Sequence, residues 1–136
     1  MTRWAALALA ACATLAAAGC GGGSSAPYTA TGTAPCLRDK GFTHVTTDPG
    51  KVGFIAGFAE NGGLRATTPD DNVLTIAFTE DEEAVPGIER AFARVAPPQY
   101  KHHMQDITES QRNAVLVWTV TPQQQQLDDA LGCLHP

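Results

Sequence analysis

The feature that most limits what this chain can fold into is an apolar run that ends at a cysteine and three glycines. From Ala5 to Ala18 every residue is Ala, Leu, Cys or Thr, and Arg3 is the only charged residue before Cys20. This run of 14 residues is too short to span a bilayer but suits the core of an export signal. The sequence therefore predicts a signal over 1–19, a flexible tether over 20–34 and one domain over 35–136. About 100 residues remain to build a core, which is enough for a single small domain.

The small residues 16–19, followed directly by Cys20, resemble the lipobox of bacterial lipoproteins. This resemblance implies cleavage before Cys20 and a diacylglycerol with palmitate-like chains on its sulfur. Two or more acyl chains would hold the protein firmly on the extracytoplasmic side of the cell membrane. Ala17 stands where the motif usually has Leu, Val or Ile, so the alternative is an ordinary secretory signal that leaves Cys20 as a thiol.

The tether and the charge balance restrict the partners of the domain. Residues 21–34 are rich in Gly, Ser, Thr and Ala and show no apolar period, which indicates a flexible coil. The net charge is −5, and removal of Arg3 with the signal leaves −6. An acidic domain without a basic stripe repels phosphate backbones, so we predict no nucleic-acid partner. The layout of signal, tether and cysteine-bracketed domain also resembles small actinobacterial lipoproteins of unassigned function, and this resemblance transfers no site residues.

The apolar pattern of the domain predicts helices and strands in mixed order. The elements expected are a helix over 36–41, strands over 42–47, 64–68, 73–79, 103–109 and 114–120, a helix that opens at 79–82 and stops before 97, and a last helix from 121. Residues 52–59 fit both a helix and a strand, and we favour a short helix. The strands over 73–79 and 114–120 are expected to be central, because both of their faces are apolar, and Trp118 on the second is expected to be a core residue. We predict an α+β fold with an antiparallel or mixed sheet of about five strands, helices packed on one side, and terminal helices joined by a disulfide.

Helix caps can be assigned from short motifs. Thr79 followed by Glu82 has the form of a capping box, although Pro86 also permits a true start at 85–86. Thr121 is expected to cap the last helix. The buried stripe of the middle helix is predicted to consist of Val85, Ile88, Phe92 and Val95.

The four cysteines separate into distinct roles. Cys12 leaves with the signal and Cys20 takes the lipid, so Cys36 and Cys133 remain on the first and last predicted helices. Disulfides persist in exported domains, and the pair has neither a CxxC spacing nor a nearby second metal ligand. We therefore predict a structural disulfide between Cys36 and Cys133, with a redox pair or a metal site as the alternative.

The chain offers few residues for catalysis. Beyond the signal only Ser24, Ser25 and Ser110 are serines, and none sits in a nucleophile elbow. His102 and His103 raise the alternative of copper, with His44 or His135 as a third ligand, but adjacent strand residues point to opposite faces. The acidic groups at 70–72 and 80–83 lack the spacing of a calcium loop. We predict no catalytic residue, no cofactor and no metal.

These observations predict a membrane-anchored extracytoplasmic lipoprotein whose domain binds a partner and is not an enzyme. A small-molecule ligand would require a closed apolar pocket. The alternative, a structural or interaction role in the cell envelope, would require an exposed apolar patch or a partner strand at the sheet edge near 103–109. A small metal-binding domain or an enzyme is the third interpretation.

Overall fold

The computed structural model describes residues 25–136. The predicted signal, the lipidation of Cys20 and the first residues of the tether lie outside this part of the chain. The described strands are β1 Thr43–Thr46, β2 Gly63–Thr67, β3 Val73–Phe78, β4 Thr108–Gln111 and β5 Ala114–Trp118. The α-helices are α1 Ala30–Asp39, α2 Phe54–Gly57, α3 Val85–Val95, α4 Met104–Ile107 and α5 Gln124–Gly132, with 3-10 turns at Glu82–Ala84 and Lys101–His103.

The five strands form one antiparallel sheet in the order β1-β2-β3-β5-β4. In the register, Ile76 of β3 lies opposite Leu64 of β2 and Leu116 of β5. β3 and β5 are the most apolar strands, and a strand buried on both faces needs apolar residues in both rows. The predicted α+β class, the antiparallel sheet and the inner positions of β3 and β5 are confirmed.

One face of the sheet, which we call the disulfide face, is covered by α1 and α5. Its buried residues come from both helices and from alternate positions of the strands, among them Leu37, Leu64, Leu74, Ile76, Phe78, Leu116, Trp118 and Ala130. A disulfide joins Cys36 of α1 to Cys133 at the end of α5, which confirms the predicted pair. Trp118 and Phe78, the largest fully buried side chains among residues 25–136, are therefore packed on this face.

The other face, which we call the cavity face, is covered by α2 and α3. Here Ala77 of β3 packs with Val52, Ala56 and Ala59, and Ile88 and Phe92 of α3 are partly buried against them. The prediction that the helices lie on one side of the sheet is wrong. Both residue rows of β3 and β5 are apolar, so both faces must be shielded from water.

The first helix starts earlier than the sequence indicated. Residues 25–29 run along the domain and α1 begins at Ala30, so the predicted coil over 20–34 is wrong from Ala30 onwards. The Thr29 hydroxyl accepts a hydrogen bond from Gly32 N at 3.0 Å and caps the helix. The buried residues Ala30, Thr33, Ala34 and Leu37 follow helical spacing, which the neighbouring glycine and proline concealed.

Two predicted helix starts are also displaced. At α3 the Asp81 carboxylate accepts from Ala84 N at 3.0 Å, while the Thr79 hydroxyl donates to the Asp81 carbonyl. The capping box at Thr79 is therefore wrong, and the start at 85–86 that Pro86 permitted is confirmed. α5 begins at Gln124 instead of following Thr121, because the Gln126 side chain accepts from Gln123 N at 3.2 Å.

The first arm of the second hairpin is shorter than predicted. Residues 101–107 form a 3-10 turn and the single-turn helix α4, and β4 begins only at Thr108. Met104 and Ile107, three residues apart, both pack against the core of the disulfide face, a spacing that suits a helical turn. On this side of the sheet the edge available to a partner strand is thus limited to the four residues of β4, while β1 forms the opposite edge.

Candidate ligand cavity

The residues that the sequence suggested for metal binding do not come together. His102 and His103 lie exposed in the 3-10 turn, and His103 Nδ1 is 3.6 Å from Asp106 Oδ2. His135 Nδ1 lies 3.0 Å from the carbonyl oxygen of Pro136. Within residues 25–136 no three His, Cys, Asp or Glu side chains are placed to hold a metal ion.

The acidic residues of the turns have structural partners. Asp81 caps the 3-10 turn before α3, as described above. Asp70, in the β2–β3 turn, accepts hydrogen bonds from the Thr68 hydroxyl and from Gln126 Nε2, the latter at 2.8 Å. These bonds, led by that from Thr68, hold the pKa of Asp70 below its ordinary value. A polar cavity of about 320 Å³ beside Asp70 also contains Lys40 and Asp129, which pair at 3.1 Å. Several of its polar groups therefore already bind one another.

An apolar cavity of about 220 Å³ lies between the end of α3, residues 96–107 and β5. It exceeds the roughly 150 Å³ apolar cavity that holds benzene in an engineered protein. Its lining is apolar and aromatic apart from one threonine. The lining residues are Phe92, Val95, Ala96, Pro97, Tyr100, Met104, Ile107, Val117, Trp118 and Thr119.

The cavity exists because α3 ends where it does. Pro97 and Pro98 have no backbone N–H to continue the helix, so α3 ends at Val95 and residues 97–107 follow a separate path over the end of β5. Val95 is 66% exposed, and its place in the predicted buried stripe is wrong. Val85 at the other end of α3 is buried as predicted. The last turn of α3 therefore forms a wall of the cavity and does not seal it.

Two residues that line this cavity or the adjoining one each carry a buried polar atom without a partner. Among residues 25–136, Trp118 Nε1 and Thr108 Oγ1 make no hydrogen bond, although each is shielded from water. Trp118 is 2% exposed and lines the apolar cavity, while Thr108 lines an adjoining cavity of about 370 Å³ that shares Met104 with it. A buried polar group without a partner costs about 1–3 kcal/mol, and native proteins contain few of them. Trp118 was expected to be a core residue, and no pattern in the sequence indicated its free N–H.

A further cavity on the same face continues towards α2. Its volume is about 380 Å³, and it shares Phe92, Val95 and Thr119 with the apolar cavity. Phe54 forms part of its wall and is 81% exposed, as is Phe58 at 77%; their ring centroids are 4.9 Å apart. The exposed pair Phe54 and Phe58 is the kind of apolar patch that the interaction interpretation required. The apolar cavity takes Trp118 and Ile107 from the disulfide face and Phe92 from α3, and it is partly open to solvent, unlike the closed pocket that the small-molecule interpretation required.

None of the helices in residues 25–136 has the length and apolar character needed to cross a membrane. No protein-family model, curated protein or solved structure gives a significant match to the chain. The functional argument therefore rests on the geometry of the cavity face and on the residues around Cys20.

Proposed function

We propose that this protein is an exported lipoprotein, anchored through Cys20, whose domain binds a small apolar molecule without transforming it. The observation that carries the proposal is the apolar cavity of about 220 Å³ beneath the end of α3. A concave apolar site with very few polar groups is typical of ligand pockets. None of its ten lining residues carries a carboxylate, an imidazole or a thiol, which favours binding over acid–base or nucleophilic chemistry.

The start of the domain supports a position close to a membrane. Arg112 Nη2 donates to the carbonyls of Ser25 and Ala26 at 2.7 and 3.0 Å, and Tyr28 N donates to Asn113 Oδ1 at 2.8 Å. The chain is therefore held to the domain from residue 25 onwards. Five residue steps separate Cys20 from this point, and they span at most about 18 Å in any conformation. A lipidated Cys20 would thus keep the cavity near a bilayer, where apolar molecules concentrate.

The proposal is tested by ligand-dependent stabilisation of the purified full chain. Neutral compounds of one or two rings are added, and the melting temperature is followed at increasing concentration. A ligand that binds only the folded state raises the melting temperature, by an amount equivalent to about 2.7 kcal/mol at 100 times its dissociation constant. Ala96→Leu, which places three extra carbons in the cavity, should abolish this increase.

A matched variant separates filling of the cavity from a general effect on α3. Ala93→Leu makes the same change at an exposed position of the same helix that does not line the apolar cavity. It should leave the ligand-dependent increase intact. Absence of stabilisation of the unchanged protein by every compound, up to its solubility, would contradict the proposal.

A second candidate function, contact with an envelope protein, is favoured by the exposed pair Phe54 and Phe58. Single exposed apolar residues are ordinary, but two exposed phenylalanines whose tilted rings contact each other at α2 are more typical of a contact surface. A photocrosslinking residue at position 54 should give a discrete product in cells. The same residue at Gln124, exposed on α5 across the sheet, is the control and should give none. Equal products from both positions would contradict this candidate.

A further inference from the structure

Both residues with an unpartnered polar atom line cavities to which residues 97–107 contribute. Trp118 shares the wall of the apolar cavity with Pro97, Tyr100, Met104 and Ile107, and Thr108 follows this stretch directly. We call residues 97–107 the covering segment. In the conformation described, the Trp118 N–H and the Thr108 hydroxyl are both buried, and neither the covering segment nor any other described residue gives them a hydrogen bond.

The covering segment is held less firmly than the sheet beneath it. Neither its 3-10 turn nor α4 is capped by a side-chain hydrogen bond, and α4 has only four residues. Its ion pair, between His103 and Asp106, joins two side chains that are both more than half exposed. Short exposed segments with few buried contacts open at much lower free energy than the core. Met104, an unbranched and adaptable side chain, can rearrange without a large packing loss.

The cavity also restricts the charge of what can enter it. Burying an ion without a counter-ion is very costly, and none of the lining side chains bears a formal charge. A fatty-acid carboxylate or a primary ammonium would therefore be a poor occupant. A neutral molecule with one hydrogen-bond acceptor would have a small desolvation cost. Its acceptor would bind the Trp118 N–H, which otherwise remains unpaired.

We propose that the cavity selects neutral apolar molecules that carry a carbonyl or ether oxygen, and that the Trp118 Nε1–H donates to this oxygen when the covering segment shifts. The inference rests on the proposed function and adds the polar feature of the ligand. Trp118 thereby becomes the specificity-determining residue of the cavity.

The experiment compares two ring systems that differ in one oxygen. Indane is the hydrocarbon and 1-indanone adds a carbonyl to the same skeleton. The full chain carries Trp4→Phe, so that Trp118 is the only tryptophan whichever N-terminus the exported protein has. With 15N-labelled tryptophan the protein then gives a single indole N–H resonance. This resonance should move downfield with 1-indanone and stay nearly in place with indane.

Affinities, corrected for the transfer of each compound out of water, provide the second readout. One added hydrogen bond should favour 1-indanone by roughly 3- to 10-fold. Trp118→Phe keeps an aromatic ring and removes the N–H, so it should bind both compounds with no preference. If that variant does not fold, the resonance of the Trp118 protein decides alone.

The outcomes separate this inference from the proposed function. Equal corrected affinities with no downfield movement would overturn the inference and leave the proposed function standing. Failure of both compounds to bind would count against the proposed function and the inference together.

Discussion

The two faces of the sheet differ in the size of their buried side chains and in the helices that cover them. The disulfide face packs Phe78, Leu74, Ile76 and Trp118 under two helices that are tied by Cys36–Cys133. The cavity face is covered by a single-turn helix and by α3, and its buried cluster consists of one valine and three alanines. Large side chains that interdigitate leave few voids, whereas small ones under a helix that ends early leave space. The disulfide face is therefore the more densely packed one, and the apolar cavity lies where its Trp118 meets the last turn of α3.

This difference suggests a division of roles within the molecule. One part supplies most of the free energy of unfolding, and another part admits the ligand. The small domain needs one well-packed and cross-linked core to reach a net stability of about 5–15 kcal/mol. The cavity face then tolerates exposed aromatic rings and empty volume without unfolding the protein. Segments that move to admit a ligand must come from the less stable part of a structure, and the covering segment lies there.

The comparison is tested most strongly by removing the same side chain from each face. Phe78 is fully buried on the disulfide face, and Phe92 is partly buried between the two cavities of the other face. Phe78→Ala should lower the free energy of unfolding by about 3–5 kcal/mol, since it leaves a cavity in a packed core. Phe92→Ala should cost on the order of 1–2 kcal/mol, because less apolar area leaves the interior. Urea unfolding followed by circular dichroism measures both. Equal losses would show that the two faces are equally well packed.

The next effect concerns the bond that closes the disulfide face. Replacing Cys36 and Cys133 together by Ala should lower the free energy of unfolding by about 2–5 kcal/mol, since 97 residues separate the two cysteines and the unfolded chain gains freedom. Ligand-induced stabilisation should survive in the folded fraction, because none of the residues that line the cavity belongs to α1 or α5. The reference is the oxidised protein in the same urea series. A variant as stable as the oxidised protein would contradict the assignment of stability to the cross-linked face.

Much of the disulfide face could be read from the sequence. The alternation of Leu74, Ile76 and Phe78 identified an inner strand, and the two domain cysteines identified the helices that meet. Both are local or compositional signals that do not depend on the rest of the fold. The first turns of α1 were not predicted. Gly32 and Pro35 gave the segment the composition of a linker, although its apolar residues kept a helical period.

The cavity face was harder to predict for a physical reason. Val95 continues the apolar stripe of α3, yet the helix ends there, before Pro97 and Pro98, and the residue stays exposed. Whether a stripe is buried depends on what lies opposite in space, and sequence periodicity carries no such information. The unpaired Trp118 N–H is likewise a property of its neighbours. The sequence placed Trp118 on an inner strand and could not show which of its atoms lack a partner.

A smaller effect is expected at the polar end of the disulfide face, where Asp70 joins the β2–β3 turn to the start of α5. The pKa of Asp70 is lowered in the fold, so its contribution to stability is present above the unfolded value of 3.8 and is lost as the pH falls through the folded pKa. Asp70→Asn should therefore melt below the unchanged protein at pH 7, and the gap should close in acid. Melting curves at pH 7, 4 and 2.5 measure it. The matched control is Asp39→Asn, at an exposed carboxylate of α1. If the difference in melting temperature between the variant and the unchanged protein widened in acid, the charged form of Asp70 would not be the one that stabilises the fold.

The smallest effect on stability is predicted for the most exposed ring. Phe54 projects from α2 with 81% of its surface in water, so Phe54→Ala removes little buried area and should change the free energy of unfolding by no more than about 0.5 kcal/mol. Phe58→Ala, at the neighbouring ring, should behave alike. Urea unfolding at two protein concentrations is the measurement. A loss above 1 kcal/mol that grows with protein concentration would mean that the rings are buried between copies of the chain. A small change in the free energy of unfolding that does not depend on protein concentration would instead mean that Phe54 and Phe58 do not contribute to folding. The two residues would then remain free to meet a partner, on the face that the core leaves open.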